Sequence, residues 1–176
     1  MLSLSSLAGW EEAVLASIAG AHGTPDERDR QVERSGLYAE YPTIVHGYIE
    51  LFGSDAALEA LKRALFLVWH SALAMPVDSG IAALPVGIIR SVIDQLDAAV
   101  RRGTMDDELR WMLAWYYAEA PLVLELFGAS ATVMRAAELV PADAWRGARI
   151  TATTMAVRGQ MGRFWEALAG ATERTP

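Results

Sequence analysis

DDELRWMLAWYYAEA, residues 106 to 120, opens with three acids and then turns almost wholly apolar. Asp106, Asp107 and Glu108 suit the first turn of a helix, whose positive dipole end favours carboxylates. Beyond them, helical spacing puts Leu109, Met112, Leu113 and Tyr116 on one side and Trp111, Ala114, Trp115 and Ala118 on the other. Arg110 and Glu119 are the only charges left before Pro121. A helix that is apolar all round is buried all round. The pattern therefore places residues 106–120 at the centre of an all-α domain, with an apolar continuation through Leu122, Leu124, Leu126 and Phe127 to Gly128.

The flanking sequence reads as further helices, and no strand pattern is convincing. A first helix is expected over about residues 6–19, with Leu7, Trp10, Val14, Leu15 and Ile18 on one face and Ser5 or Ser6 as N-cap. Thr24, Pro25 and Glu27 then combine a capping box with proline at the first helical position. Apart from Val32, residues 26–34 are charged or amide-bearing, so the segment 24–36 is expected to be exposed and mobile. A third helix runs from Tyr41 or Pro42 to Phe52, with Gly53 ending it. In the fourth, residues 55–74, Leu58, Leu61, Leu65, Val68, Trp69 and Ala72 form the core stripe, and Glu59, Lys62, Arg63, Phe66 and His70 share the other side. Phe66 is anomalous there.

Residues 75–85 read as a connection. Pro85 can open a helix that ends before Gly103, with Arg90–Asp94 and Asp97–Arg101 as outward i,i+4 pairs. Ser130 caps a short helix to about Val140, and a last helix covers roughly residues 149–169, its apolar positions continuing through Gly159 and Gly162. Interior glycine costs about 1 kcal/mol relative to alanine, so close approach of a neighbouring helix is expected there, with a break at Gly159 as the rival. The count is seven to eight helices in a single-domain bundle. A short HEAT-like repeat is the alternative, from Leu61, Leu65 and Trp69 matching Leu109, Leu113 and Tyr117 at an offset of 48.

Composition narrows the function classes. Hydrophobic residues make up 53% of the 176, against roughly 45–50% in an average chain. Such a surplus favours a self-associating face, a homo-oligomer, or a ligand-filled core. No run approaches the roughly 20 apolar residues needed to cross a bilayer, and Glu11 and Glu12 sit where a leader's apolar segment would be, so a cytoplasmic protein with no membrane partner is expected. The absence of cysteine removes disulfides, thiolate catalysis and thiolate metal sites from this chain. Net charge is −7, with residues 128–176 at +2 and residues 1–127 at −9, which argues against nucleic acid and for protein partners. Fourteen of fifteen basic residues are arginine, a composition suggesting a GC-rich bacterial genome.

No motif carries chemistry. No histidine has a glutamate three residues before it, as a dinuclear helical-bundle site needs, and no phosphate-binding glycine loop or nucleophile elbow is present. His46 and Glu50 with His70 are a conceivable ligand set, but a solvated i,i+4 pair is the plainer reading. Neither catalytic residues, nor a metal site, nor a cofactor is assigned. The leading expectation is a non-enzymatic bacterial protein-interaction module, of adaptor, inhibitor or immunity type, with an acidic surface and an unknown protein partner. The alternative is a small-molecule-binding protein or enzyme with an aromatic pocket around Trp111, Trp115 and Tyr117, with Phe66, His70 and Glu119 as further contacts. Arg146 and Arg149 are candidates for holding an anion or an acidic partner.

Overall fold

Capping residues set where the helices begin in the computed structural model, which describes residues 2–172. Ser3 caps α1 (Leu4–Ala19), Thr24 and Glu27 form the expected capping box on α2 (Pro25–Arg34), and Asp106 accepts from the Leu109 N–H at 2.8 Å to cap α7 (Asp107–Glu119). Between them lie α3 (Glu40–Glu50), α4 (Ala57–Ser71), α5 (Pro76–Ser79) and α6 (Val86–Arg102). After α7 come α8 (Pro121–Leu126), α9 (Ala131–Glu138) capped by Ser130, α10 (Ala152–Met155) and α11 (Gly159–Thr172). Short 3-10 turns occupy Leu37–Ala39, Leu51–Gly53 and Ala144–Gly147. No strand occurs among the described residues, and no helix is long and apolar enough to cross a membrane.

The eleven α-helices of the described residues exceed the expected seven or eight because three short ones, α5, α8 and α10, interrupt segments read as connections or continuations. Ala120, forced out of the helical region by Pro121 (φ −152°, ψ 72°), separates α8 from α7. α2 forms over its charged stretch and is anchored by the one buried residue Val32, by an Arg28–Asp78 ion pair at 3.8 Å, and through the Tyr38 hydroxyl, which donates to Asp29 at 2.5 Å.

α7 is central as its pattern requires, since Leu109 and Trp111–Tyr116 are all buried. It shares the centre with α4. Residues Ala60 to Trp69 are buried without exception, so Lys62, Arg63 and Phe66 of the expected outer side are interior, and only Glu59 and His70 at its ends keep partial exposure. Phe66 is fully enclosed, which resolves its anomaly, and Lys62 and Arg63 are enclosed with it. α3, α6 and α11 pack on α4, while α1 closes over α3 and α11, and one continuous core joins them into a single-domain helical bundle.

The last helix is not continuous from 149 to 169. Its helical path stops at Met155, and Val157 (φ 59°) and Gly159 (φ 60°) turn the chain through the left-handed region before α11 starts. Gly162 is where the tight approach occurs. A Cβ there would lie 2.2 Å from the Met155 carbonyl oxygen, whereas one on Gly9, on the exposed side of α1, meets nothing within 4 Å. Gly162→Ala should therefore lower stability by about 1–3 kcal/mol through overpacking. Gly9→Ala should raise it by roughly 0.5–1 kcal/mol. Urea unfolding of both variants checks the pair, and equal effects of the same sign would contradict this packing.

Candidate functional site

The two central helices carry charge into the interior, and the turn between α10 and α11 supplies its counterpart. Arg158 is 9% exposed and lies between Glu59 of α4 and Glu108 of α7. Its guanidinium donates to both oxygens of Glu59 (2.8 and 2.5 Å) and both of Glu108 (2.6 and 3.0 Å). Lys62 Nζ reaches Asp106 at 2.6 Å and Glu108 at 2.5 Å. Arg63 donates through Nε to Glu59 at 2.8 Å, and through Nη1 to the carbonyls of Leu4 (3.1 Å) and Val157 (3.0 Å). Six charged side chains thus join α4, α7, the start of α1 and the α10–α11 turn. Burial works against ionised Glu108, but hydrogen bonds from Arg158 and Lys62 outweigh it and hold its pKa down to about 2.

Glu11 is a second interior carboxylate, 1% exposed. The Tyr48 hydroxyl donates to its Oε1 at 2.6 Å and the Gln160 backbone N–H donates to Oε2 at 2.8 Å. The Gln160 side chain goes on to Tyr41 and to the Ser79 carbonyl. Desolvation pushes the Glu11 carboxyl up to about 7, against the pull of those two donors and of Arg63 and Arg163. Gly159 fits here because a side chain would strike Glu11 within 2.6 Å. Val157 is the one non-glycine residue with positive φ among the described residues, and β-branched side chains strongly resist that region. Strain of this kind costs on the order of 1–3 kcal/mol and persists where surroundings over-determine it. Arg63 supplies that restraint through the Val157 carbonyl.

Of the expected aromatic site, Phe66, His70, Trp111 and Trp115 come together in one cluster through Phe164 and Trp165, and Tyr117 and Glu119 lie apart from it. Trp111 and Trp115 pack edge-on to Trp165 of α11 at 4.6 and 5.2 Å, and Trp115 also meets Phe164 at 5.3 Å. The rings therefore face α11. Tyr117 is on a different side, half-buried, donating to Glu138 at 2.9 Å, and Glu119 is exposed. His70 stacks on Phe66 at 5.0 Å at the edge of the cluster, where burial lowers its pKa. Trp69 Nε1, Trp165 Nε1 and the Tyr116 hydroxyl lie in the same cluster without a hydrogen bond of good geometry, although Trp165 is the polar neighbour of that hydroxyl. His46 and Glu50 form a solvated pair at 3.7 Å, and no three metal-binding side chains converge among the described residues.

Of the C-terminal arginines, Arg158 is consumed in the interior and Arg163 pairs with Glu12. Arg146 and Arg149 are exposed, Arg146 lying over the Trp145 ring at 5.2 Å. A different surface stands out for its apolarity. Leu122 and Leu126, one turn apart on α8, are 73% and 79% exposed, and Val86 at the start of α6 is 73% exposed. Of the expected core continuation, Leu124 is 1% exposed and Phe127 is partly buried against the core, whereas Leu122 and Leu126 are not in it. Val86 and Leu126 rim a depression of about 330 Å³ with Ile89, Phe127 and Arg90. Arg90 does not form the expected pair with Asp94, and neither Arg90 nor Glu125 has a side-chain hydrogen bond or ion pair among the described residues, while Asp97–Arg101 is present at 3.4 Å. The comparisons with known proteins found no matching family model, no similar curated protein and no similar solved structure.

Sequence reasoning missed Glu11, Lys62, Arg63 and Arg158 as interior groups. The signal available was the run ALKRALFLVW, residues 60–69, apolar everywhere except at Lys62 and Arg63.

The two carboxylates give opposite pH dependences. Glu11 binds its proton more tightly when folded than the ordinary value of 4.5, so its contribution is complete below pH 4.5 and is lost as pH rises to about 7. Glu108 is depressed to about 2, so its contribution is present above pH 4.5 and is lost as pH falls toward 2. Each amounts to on the order of 3 kcal/mol, a factor of ten in proton affinity being about 1.4 kcal/mol. Stability measured by urea unfolding should therefore peak near pH 4.5–5 and Glu11→Gln should flatten the limb between pH 5 and 7. An unchanged limb in that variant would show that Glu11 does not titrate there.

Proposed function

We propose that this chain is a non-enzymatic protein-interaction module, of the adaptor, inhibitor or immunity type expected for an acidic bacterial protein. The observation that carries the reading is the pair of Val86 and Leu126, each about three-quarters exposed at the rim of one depression, with the equally exposed Leu122 one turn from Leu126 on α8. Scattered exposed apolar residues are ordinary, but a group of them around a depression marks a contact surface. The interior polar groups support the same reading, because the carboxylates of Glu59 and Glu108 and the cations of Lys62 and Arg158 satisfy one another. Their arrangement holds helices together. Arg146 and Arg149 offer exposed cations for acidic groups of a partner, and the net charge of −7 suits a protein partner better than a nucleic acid.

A small-molecule site at Trp111, Trp115, Phe66 and His70 is less favoured, since Phe164 and Trp165 already cover the aromatic faces such a ligand would use. The test is a photo-crosslinking amino acid placed at position 126, or at exposed Asp55 as a control, in the cells that produce the protein. The proposal expects a discrete crosslinked protein product from position 126 and none from position 55. Absence of a product specific to position 126 would overturn it, and a stoichiometric excess mass in native mass spectrometry would then move the assignment to the aromatic cluster.

A further inference from the structure

The structure assigns the α6–α8 ridge as a twofold docking surface for a second copy of this chain, an inference that rests on reading the chain as an interaction module. A contact about a twofold axis must be self-complementary, because each residue of the patch meets residues of the same patch on the partner. The ridge meets that condition in both polarity and charge. Its middle is apolar, with Val86, Leu126, Ile89 and Phe127 lining the depression. A leucine side chain from one copy is suited to the depression of the other, and the reciprocal contact follows from the axis.

Charge supplies the direction. Arg90, on the rim, belongs to α6, and Glu125, exposed on α8 between Leu122 and Leu126, carries the opposite sign. Both lack an internal partner among the described residues, although most cations near the core are paired within the chain. A twofold arrangement that lays α8 of one copy across α6 of the other forms the Arg90–Glu125 pair twice. A partner with only an apolar face would leave both charges against low-dielectric surface, which is unfavourable. The surplus of apolar residues in the composition fits the same occupant, since a homodimer face hides surface that a monomer of this size must expose.

Sedimentation equilibrium of the whole chain over roughly a hundredfold range of concentration tests the proposal. The expected result is a reversible monomer–dimer equilibrium. Leu126→Glu should weaken it at least about tenfold, the equivalent of 1.4 kcal/mol. Arg90→Glu alone and Glu125→Arg alone should each weaken it, and the two together should restore it, which a nonspecific loss of folding would not do. A chain that stays monomeric throughout, or a double variant no stronger than the single ones, would overturn the inference. If the chain stays monomeric while position 126 crosslinks a different protein, the second copy is ruled out and the interaction reading stands. If neither association nor a crosslink is seen, both fall.

Discussion

The Arg158 guanidinium, enclosed between the carboxylates of Glu59 and Glu108, ties α4 and α7 to the turn that starts α11. Four charge-assisted hydrogen bonds in bidentate geometry satisfy the cation and both acids together, the condition under which a buried charge is tolerable. Lys62 and Arg63 extend the same network to Asp106 and to the backbone of Leu4 and Val157. Removing Arg158 leaves Glu59 with Arg63 alone and Glu108 with Lys62 alone, two partly buried carboxylates that each lose a bidentate partner. The placement of the C-terminal third of the chain follows from this constraint: the left-handed turn at Val157 and Gly159 brings Arg158 inward, and the Gln160 N–H then meets Glu11. With α11 fixed there, Phe164 and Trp165 are delivered to the aromatic cluster of α4 and α7.

The middle of residues 106–120 was legible because its apolarity on every side has one physical reading, and Leu109 and Trp111–Tyr116 are buried, whereas Ala118, expected on a buried side, is exposed. α4 was misread for a related reason. Lys62 and Arg63 look like a solvated face when each residue is taken alone; Arg63 is matched by Glu59 one turn back on α4, but the acids that neutralise Lys62, and the Arg158 that shares Glu59, lie in distant parts of the sequence. Glu11 was hidden in the same way, since its donors are on α3 and α11. Periodicity reports the polarity of a side chain and not whether its charge is matched from across the fold. The break before α11 was within reach of the sequence through Gly159 and Gly162, but the Val157 turn, a β-branched residue in the left-handed region, contradicts local preference and is held by tertiary contacts.

The candidate site divides along the same line. The aromatic residues singled out in the sequence are mostly interior, with Trp111 and Trp115 against α11, whereas Tyr117 and Glu119 point elsewhere. The surface that carries the functional reading was read as core, because Leu122 and Leu126 continue an apolar run beyond Pro121. Proline ended that helix, and in the short α8 and its C-cap Leu124 is buried and Val123 and Phe127 pack against the core while Leu122 and Leu126 face outward. Exposure of the two leucines thus depends on a local backbone break, which is invisible to composition.

Equilibrium unfolding of Arg158→Ala at neutral pH is the most direct measurement of the central constraint. Loss of about 3–5 kcal/mol, as expected for breaking a buried pair by removing one partner, together with early hydrogen exchange at the amides of residues 157–162, would agree with a fold organised by this cation. A loss below about 1 kcal/mol, the scale of an exposed ion pair, with unchanged exchange at those amides, would contradict it.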